Sequence, residues 1–154
     1  MDEQANIGLV QQCYDAFMKG DIQRLLGYMT PDIAWDIPET EGATFSGRRQ
    51  GVDAVADFFR DLGQSQTPLQ FQPDDYICQG DRVVACGHYS WRVNATGEEF
   101  GSNWLHLFTI RSGKVCGFHE FVDNHSSVAA YQGQHAGAMQ STGAQTDATR
   151  SSIH

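Results

Sequence analysis

At 154 residues, with 40% hydrophobic and 11% aromatic side chains, the chain suits one packed domain and excludes a disordered or membrane-spanning architecture. Its 19 acidic against 10 basic residues give a formal net charge of −9, which repels phosphate backbones and anionic bilayers, so neither nucleic acid nor membrane is an expected partner. The opening MDEQANIGLV has no basic, apolar leader, and Cys13, Cys78, Cys86 and Cys116 form no C-x-x-C pair; a cytoplasmic protein with reduced thiols is expected.

The first third has a helical period. Ile7, Val10, Cys13, Tyr14 and Phe17 place one apolar stripe on a helix that Gly20 terminates. Asp21 caps a second helix, predicted from Ile22 to Met29 and stopped by Thr30-Pro31-Asp32. Alternation over Ile33–Pro38 predicts a short strand. Glu39 to Gly51 reads as a loop, with an extended piece at Thr44-Phe45. Val52, Val55, Ala56, Phe59 and Leu62 stripe a third helix that Gly63 ends, and Gln64 to Pro68 read as a linker.

From Leu69 the period becomes two. Strands are predicted over 69–79, 82–93, 99–111 and 115–122, joined by the turns Gly80-Asp81, Asn94 to Gly97 and Ser112-Gly113. Helices followed by an antiparallel meander indicate an α+β fold with the helices on one face of the sheet. Residues 1–131 form the domain. The Gly, Gln, Ser, Thr and Ala content beyond Tyr131 makes 132–154 a low-complexity C-terminal tail.

Several local signals fall in one order: Gly20-Asp21; Asp32-x-x-Trp35 after Pro31; Phe45-Ser46-Gly47 and Gly51 ahead of Val52-x-x-Val55-x-x-Phe58-Phe59; Thr96-Gly97-x-x-Phe100; and Trp104-Leu-His106-Leu-Phe108 running into Glu120-Phe121-Val122-Asp123. Over about residues 5–131 the chain resembles the SnoaL-like, ketosteroid-isomerase-related branch of the nuclear transport factor 2-like superfamily. The resemblance implies a cone-shaped α+β barrel, with three N-terminal helices on a strongly curved antiparallel sheet whose concave face holds a ligand. That fold hosts isomerases, cyclases, dehydratases, hydrolases and non-catalytic binders, so it does not choose the chemistry.

Against the ketosteroid isomerase pattern of an Asp base with Tyr and Asp oxyanion donors, the chain departs. The helix-1 tyrosine falls on Cys13, with Tyr14 one residue out of phase; the base falls on Ile37, beside an outward Asp36; a helix-3 tyrosine falls on Phe59. The oxyanion aspartate falls on His106.

Residues two apart share a strand face, so Trp104, His106, Phe108 and Ile110 go together, as do Cys116, Phe118, Glu120 and Val122 on the next strand. His106 and Glu120 then oppose one another inside the cone. An imidazole and a carboxyl group in an apolar pocket suit general acid–base work on a small hydrophobic organic ligand, with no cofactor required. Trp35, Phe59, Trp104, Phe108 and Phe118 are expected to line that pocket.

His88 joins the lining if Val84, Cys86, His88, Ser90 and Arg92 form the inward face; the alternative inward set is Ala85, Gly87, Tyr89 and Trp91. Ordinary packing accounts for many such aromatics, and a sheet-buried His–Glu pair can serve only the fold. In the cluster His119-Glu120-x-x-Asp123-Asn124-His125, strand alternation turns His119 and Glu120 to opposite sides, so no metal site is expected. Tyr89, Trp91, Leu105, Leu107 and Phe121 are candidates for an outer sheet face, which a homodimer would cover. Three functions stay open on these residues: an isomerase-, cyclase-, dehydratase- or hydrolase-like enzyme, a non-catalytic small-molecule binder, and a dimeric interaction scaffold.

Overall fold

The computed structural model describes residues 2–123 and 125–133. The elements in chain order are α1 (Glu3–Met18), α2 (Ile22–Gly27), β1 (Met29–Ile37), β2 (Gly47–Gln50), α3 (Val52–Ser65), β3 (Gln66–Gln79), β4 (Arg82–Val93), β5 (Glu99–Arg111), β6 (Lys114–Val122) and α4 (His125–Gln132). The fold is α+β, with the three expected helices ahead of the meander.

Local chemistry sets most boundaries. Asp2 caps α1 by accepting from the Gln4 amide, and Asp21 caps α2 by accepting from the Arg24 amide. Between them Gly20 sits at φ +71°, the left-handed conformation that an L-residue with a side chain rarely adopts. Two stop signals are overridden. Pro31 lies within β1 instead of ending a helix there, because the β1–β6 pairing shifts register between Met29 and Ala34 and demands no N–H from it. Gly63 lies inside α3, which continues to Ser65. Asn94 satisfies the end of that helix, its side-chain amide donating to Gln64 O at 3.0 Å and its backbone N–H to Ser65 O at 3.0 Å. The extended piece between β1 and α3 is Gly47–Gln50, not Thr44-Phe45.

The six strands form one curved sheet in the order β2-β1-β6-β5-β4-β3. Strands β3 to β6 are the expected antiparallel meander. The sheet as a whole is mixed, because β1 runs parallel to β6, and it stays open between β2 and β3 instead of closing into a barrel. Helix α4 lies in the stretch between the last predicted strand and the tail, to which the sequence reading assigned no element, and reaches the first tail residue. Residues 134–154 of the predicted tail lie outside the described residues. No helix among the described residues is long and apolar enough to cross a membrane.

The core lies between α1, α3 and the concave sheet face. Val10, Val55, Val83, Val93 and Ile33 are fully buried there. Opposite Gly87 in the β4–β5 register stands Trp104, at 2% exposure. A Cβ at position 87 would collide with the Trp104 ring and with the Gln72 carbonyl, so only glycine lets the indole lie flat under the sheet. Gly87→Ala is expected to destabilise the fold by about 1–3 kcal/mol through overpacking. A lowered urea midpoint at unchanged slope would show this; an unshifted midpoint would mean that Trp104 can yield.

Candidate functional site

The concave face is lined with rings. Trp35 of β1 stacks on Phe118 of β6 at 4.1 Å and 19°, while Phe58 and Phe59 of α3 meet Trp35 at 5.3 and 5.5 Å. Each such pair is worth about 0.5–1.5 kcal/mol beyond its buried area. These rings, with Phe71, Trp91, Phe100 and Phe108, enclose a cavity of about 100 Å³. An apolar cavity of about 150 Å³ takes up benzene, so a ring-bearing ligand here has to push lining side chains aside. Helix α4 contributes Ser127 and Tyr131 to the wall. It is tied down where Thr96 Oγ1 donates to Ala130 O at 2.8 Å and Tyr131 Oη donates to Gln66 Oε1 at 2.7 Å.

One polar chain crosses this apolar wall. His106 and Glu120 are cross-strand partners on β5 and β6, and His106 Nε2 lies 2.9 Å from Glu120 Oε2. On the other side of the ring, His106 Nδ1 lies 2.7 Å from Tyr14 Oη, delivered by the buried stripe of α1. A carboxylate only accepts hydrogen bonds, so Nε2–H faces Glu120, and in the neutral imidazole Nδ1 accepts from the Tyr14 hydroxyl. Both imidazole nitrogens are therefore engaged within the protein. The His106 side chain is 5% exposed, whereas Glu120 keeps 16% and has Oε1 without a partner among the described residues. The group that a ligand can reach is the carboxylate, with His106 behind it as its donor and Tyr14 fixing the ring.

Among the described residues lining the cavity, Glu120 is the one acidic side chain, and there is no Lys or Arg. Its field and the lack of water act on neighbouring acids. Burial raises the Tyr14 hydroxyl far above the ordinary phenol value, with Tyr76 and Glu120 adding to the shift. Tyr89 is raised in the same way, by burial first and then by Glu120. Burial pushes the Cys13 thiol up to about 12, so Cys13 is a neutral small hydrophobe in the wall and not a nucleophile.

These acids are held neutral in the fold but ionise at ordinary values once the chain unfolds. Their contribution is intact below the unfolded pKa values, 9.0 for the thiol and 10.0 for the phenols, and is lost as pH climbs from there towards the raised folded values. Unfolding free energy from urea titrations should accordingly fall steadily above pH 9.0. A flat profile up to pH 12 would contradict the burial of these groups.

Of the residues predicted for the site, Trp35, Phe59, His106, Phe108, Phe118 and Glu120 all line the cavity. Two do not. His88 is on the outer face, where Nδ1 meets Asp74 Oδ2 at 3.0 Å, because Ala85, Gly87, Tyr89 and Trp91 are the inward set of β4. Small residues at 85 and 87 are what admit Trp104. Trp104 itself lies behind the wall, sandwiched between Phe71 at 5.2 Å and His106 at 4.1 Å, and serves the imidazole instead of the ligand.

Two further faces differ from the sequence reading. Tyr89 and Trp91 belong to the cavity and not to the outer sheet, whose exposed apolar residues include Leu105 and Phe121, each 47% exposed. A bulge opposite Thr109 and Ile110 makes Val115 inward in place of Cys116. Tyr14, set aside as out of phase, is the main residue that sequence reasoning missed. Its place in the stripe beside Cys13 was the available signal.

A family model described as SnoaL-like domain matches residues 10–118. No curated protein matches the chain. Among solved structures, a nuclear transport factor 2-like protein from Burkholderia xenovorans LB400 is 28% identical, with a TM-score of 0.74 over 86% of this chain and 96% of that one. TerC, co-crystallised with polyporic acid, is 25% identical with a TM-score of 0.72, covering 83% of this chain and 98% of its own. A candidate polyketide cyclase from Xanthomonas campestris pv. campestris is 23% identical with a TM-score of 0.69, covering 84% and 98%, and shares the fold.

Proposed function

The chain belongs to the SnoaL-like family, and we propose that within it this protein is a cofactor-independent acid–base enzyme acting on a small hydrophobic organic molecule. The observation that carries this reading is the hydrogen-bonded chain Tyr14–His106–Glu120 set in a wall of aromatic rings. Glu120 Oε1 is the proton acceptor. His106 holds the carboxylate in place by donating to Oε2, and the neutral Tyr14 hydroxyl keeps the imidazole in the tautomer that does so. This differs from an arrangement in which imidazole and carboxyl group act as two independent groups on the substrate. The similarity to TerC, crystallised with polyporic acid, supports an organic molecule as the ligand class.

The reaction type that such a site serves is proton removal from carbon next to a carbonyl, followed by return of the proton to the same or another atom. Isomerisation, aldol-type cyclisation and dehydration share that first step. Exchange of α-hydrogens for deuterium in D2O, followed by mass spectrometry with cyclohexanone and 2-tetralone as probes, tests it without knowledge of the natural substrate. Exchange above the buffer rate supports the enzyme. Binding of the probes without exchange supports the non-catalytic binder.

On the outer face, a two-fold pair of chains through the sheet is the arrangement that covers Leu105 and Phe121.

A further inference from the structure

Three tyrosines line the cavity, and two have committed hydroxyls: Tyr14 to His106 and Tyr131 to Gln66. The third, Tyr89, has no hydrogen-bond partner for its hydroxyl among the described residues. Its ring is fixed by Trp91 at 5.9 Å and Phe100 at 6.4 Å, both edge-on, so the phenol is positioned on a rigid strand and not on a loop. An O–H that opens onto an apolar cavity with no protein acceptor is free to donate to a ligand oxygen.

We infer that Tyr89 is the hydrogen-bond donor that receives the ligand's oxygen, so that the ligand is an uncharged molecule presenting a carbonyl or equivalent acceptor between Tyr89 and Glu120. The uncharged class follows from the wall. With Glu120 as its one acidic side chain and no Lys or Arg facing it, the cavity repels carboxylates and phosphates. High burial keeps the Tyr89 phenol protonated and therefore a donor.

This role rests on the acid–base reading only for its catalytic consequence. When Glu120 Oε1 takes an α-hydrogen as a proton, the C–H pair becomes the new C=C bond. The C=O π pair then moves to oxygen, where the Tyr89 O–H donates to the developing oxyanion; no electron acceptor is needed, and reprotonation at carbon reverses the step.

The test is infrared spectroscopy of 2-tetralone bound to the full chain, with the carbonyl stretch as readout. The wild type should lower the stretch relative to the ketone in apolar solvent. Tyr89→Phe should abolish that lowering and slow α-exchange by about 10²–10³-fold, as expected for one oxyanion donor. Glu120→Gln should retain the lowered stretch while losing exchange, which separates the two claims. Benzoate should fail to compete. A lowered stretch unchanged in Tyr89→Phe, a wild type that leaves the stretch unshifted or does not bind the ketone, or benzoate binding as tightly as the ketone would each overturn the inference. If the stretch responds to Tyr89→Phe but no variant or wild type exchanges deuterium, Tyr89 stands as a binding residue and only the enzymatic reading falls.

Discussion

Glu120→Gln is expected to slow deuterium exchange into a bound ketone by about 10²–10⁴-fold, the range that a positioned general base supplies. The substitution is nearly isosteric, and His106 Nε2–H can still donate to the amide oxygen where it now donates to Oε2 at 2.9 Å. The shape of the cavity wall is unaltered, so ligand affinity should change little. An amide cannot accept a proton from carbon, and no other acidic side chain among the described residues lines the cavity to replace it. Rate and affinity should therefore separate cleanly. A variant that exchanges deuterium at the wild-type rate would remove Glu120 from the chemistry.

The second large effect falls on stability. His106 is central to the polar chain and also to the packing: its ring stacks on Trp104 at 4.1 Å and 16° and meets Phe118 edge-on at 4.7 Å. His106→Ala opens a cavity there, costing about 2–5 kcal/mol as other large-to-small core changes do. It also leaves the Tyr14 hydroxyl and a Glu120 oxygen without partners, each unmet group adding about 1–3 kcal/mol. His106→Phe restores the ring but not the bonds, so its urea midpoint should fall between those of His106→Ala and the wild type. The difference between the two variants isolates the packing share. If His106→Ala unfolded at the wild-type midpoint, the chain of three residues would be an exposed and incidental contact.

Much of this architecture was legible because its signals are local. The β4 and β5 bounds and the caps at Asp21 and Gly20 follow from residues next to them in sequence. The departures arise where a distant partner decides. Pro31 stops a helix only if nothing excuses its missing N–H, and the register shift against β6 excuses it. Gly63 ends α3 only if the carbonyls beyond it go unpaired, and Asn94, thirty residues on, pairs them.

The site shows the same division. The face shared by His106 and Glu120 could be read from alternation, because β5 carries bulky apolar residues on one side. The phase of β4 could not, since its small inward residues Ala85 and Gly87 look no more buried than Val84 and Cys86 until Trp104 is seen beneath them. That ambiguity placed His88 inside and Tyr89 outside. Tyr14 was missed because a helix stripe spans more than one residue: Cys13 and Tyr14 both reach the cavity.

The most direct test is the side-chain nitrogen NMR spectrum of His106, assigned by its loss in His106→Phe. The paired bonds to Tyr14 and Glu120 predict an Nε2–H held on the carboxylate and shielded from exchange with water, with Nδ1 bonded to the Tyr14 hydroxyl. A ring protonated at Nδ1 instead, or one averaging between tautomers in fast exchange with solvent, would contradict it.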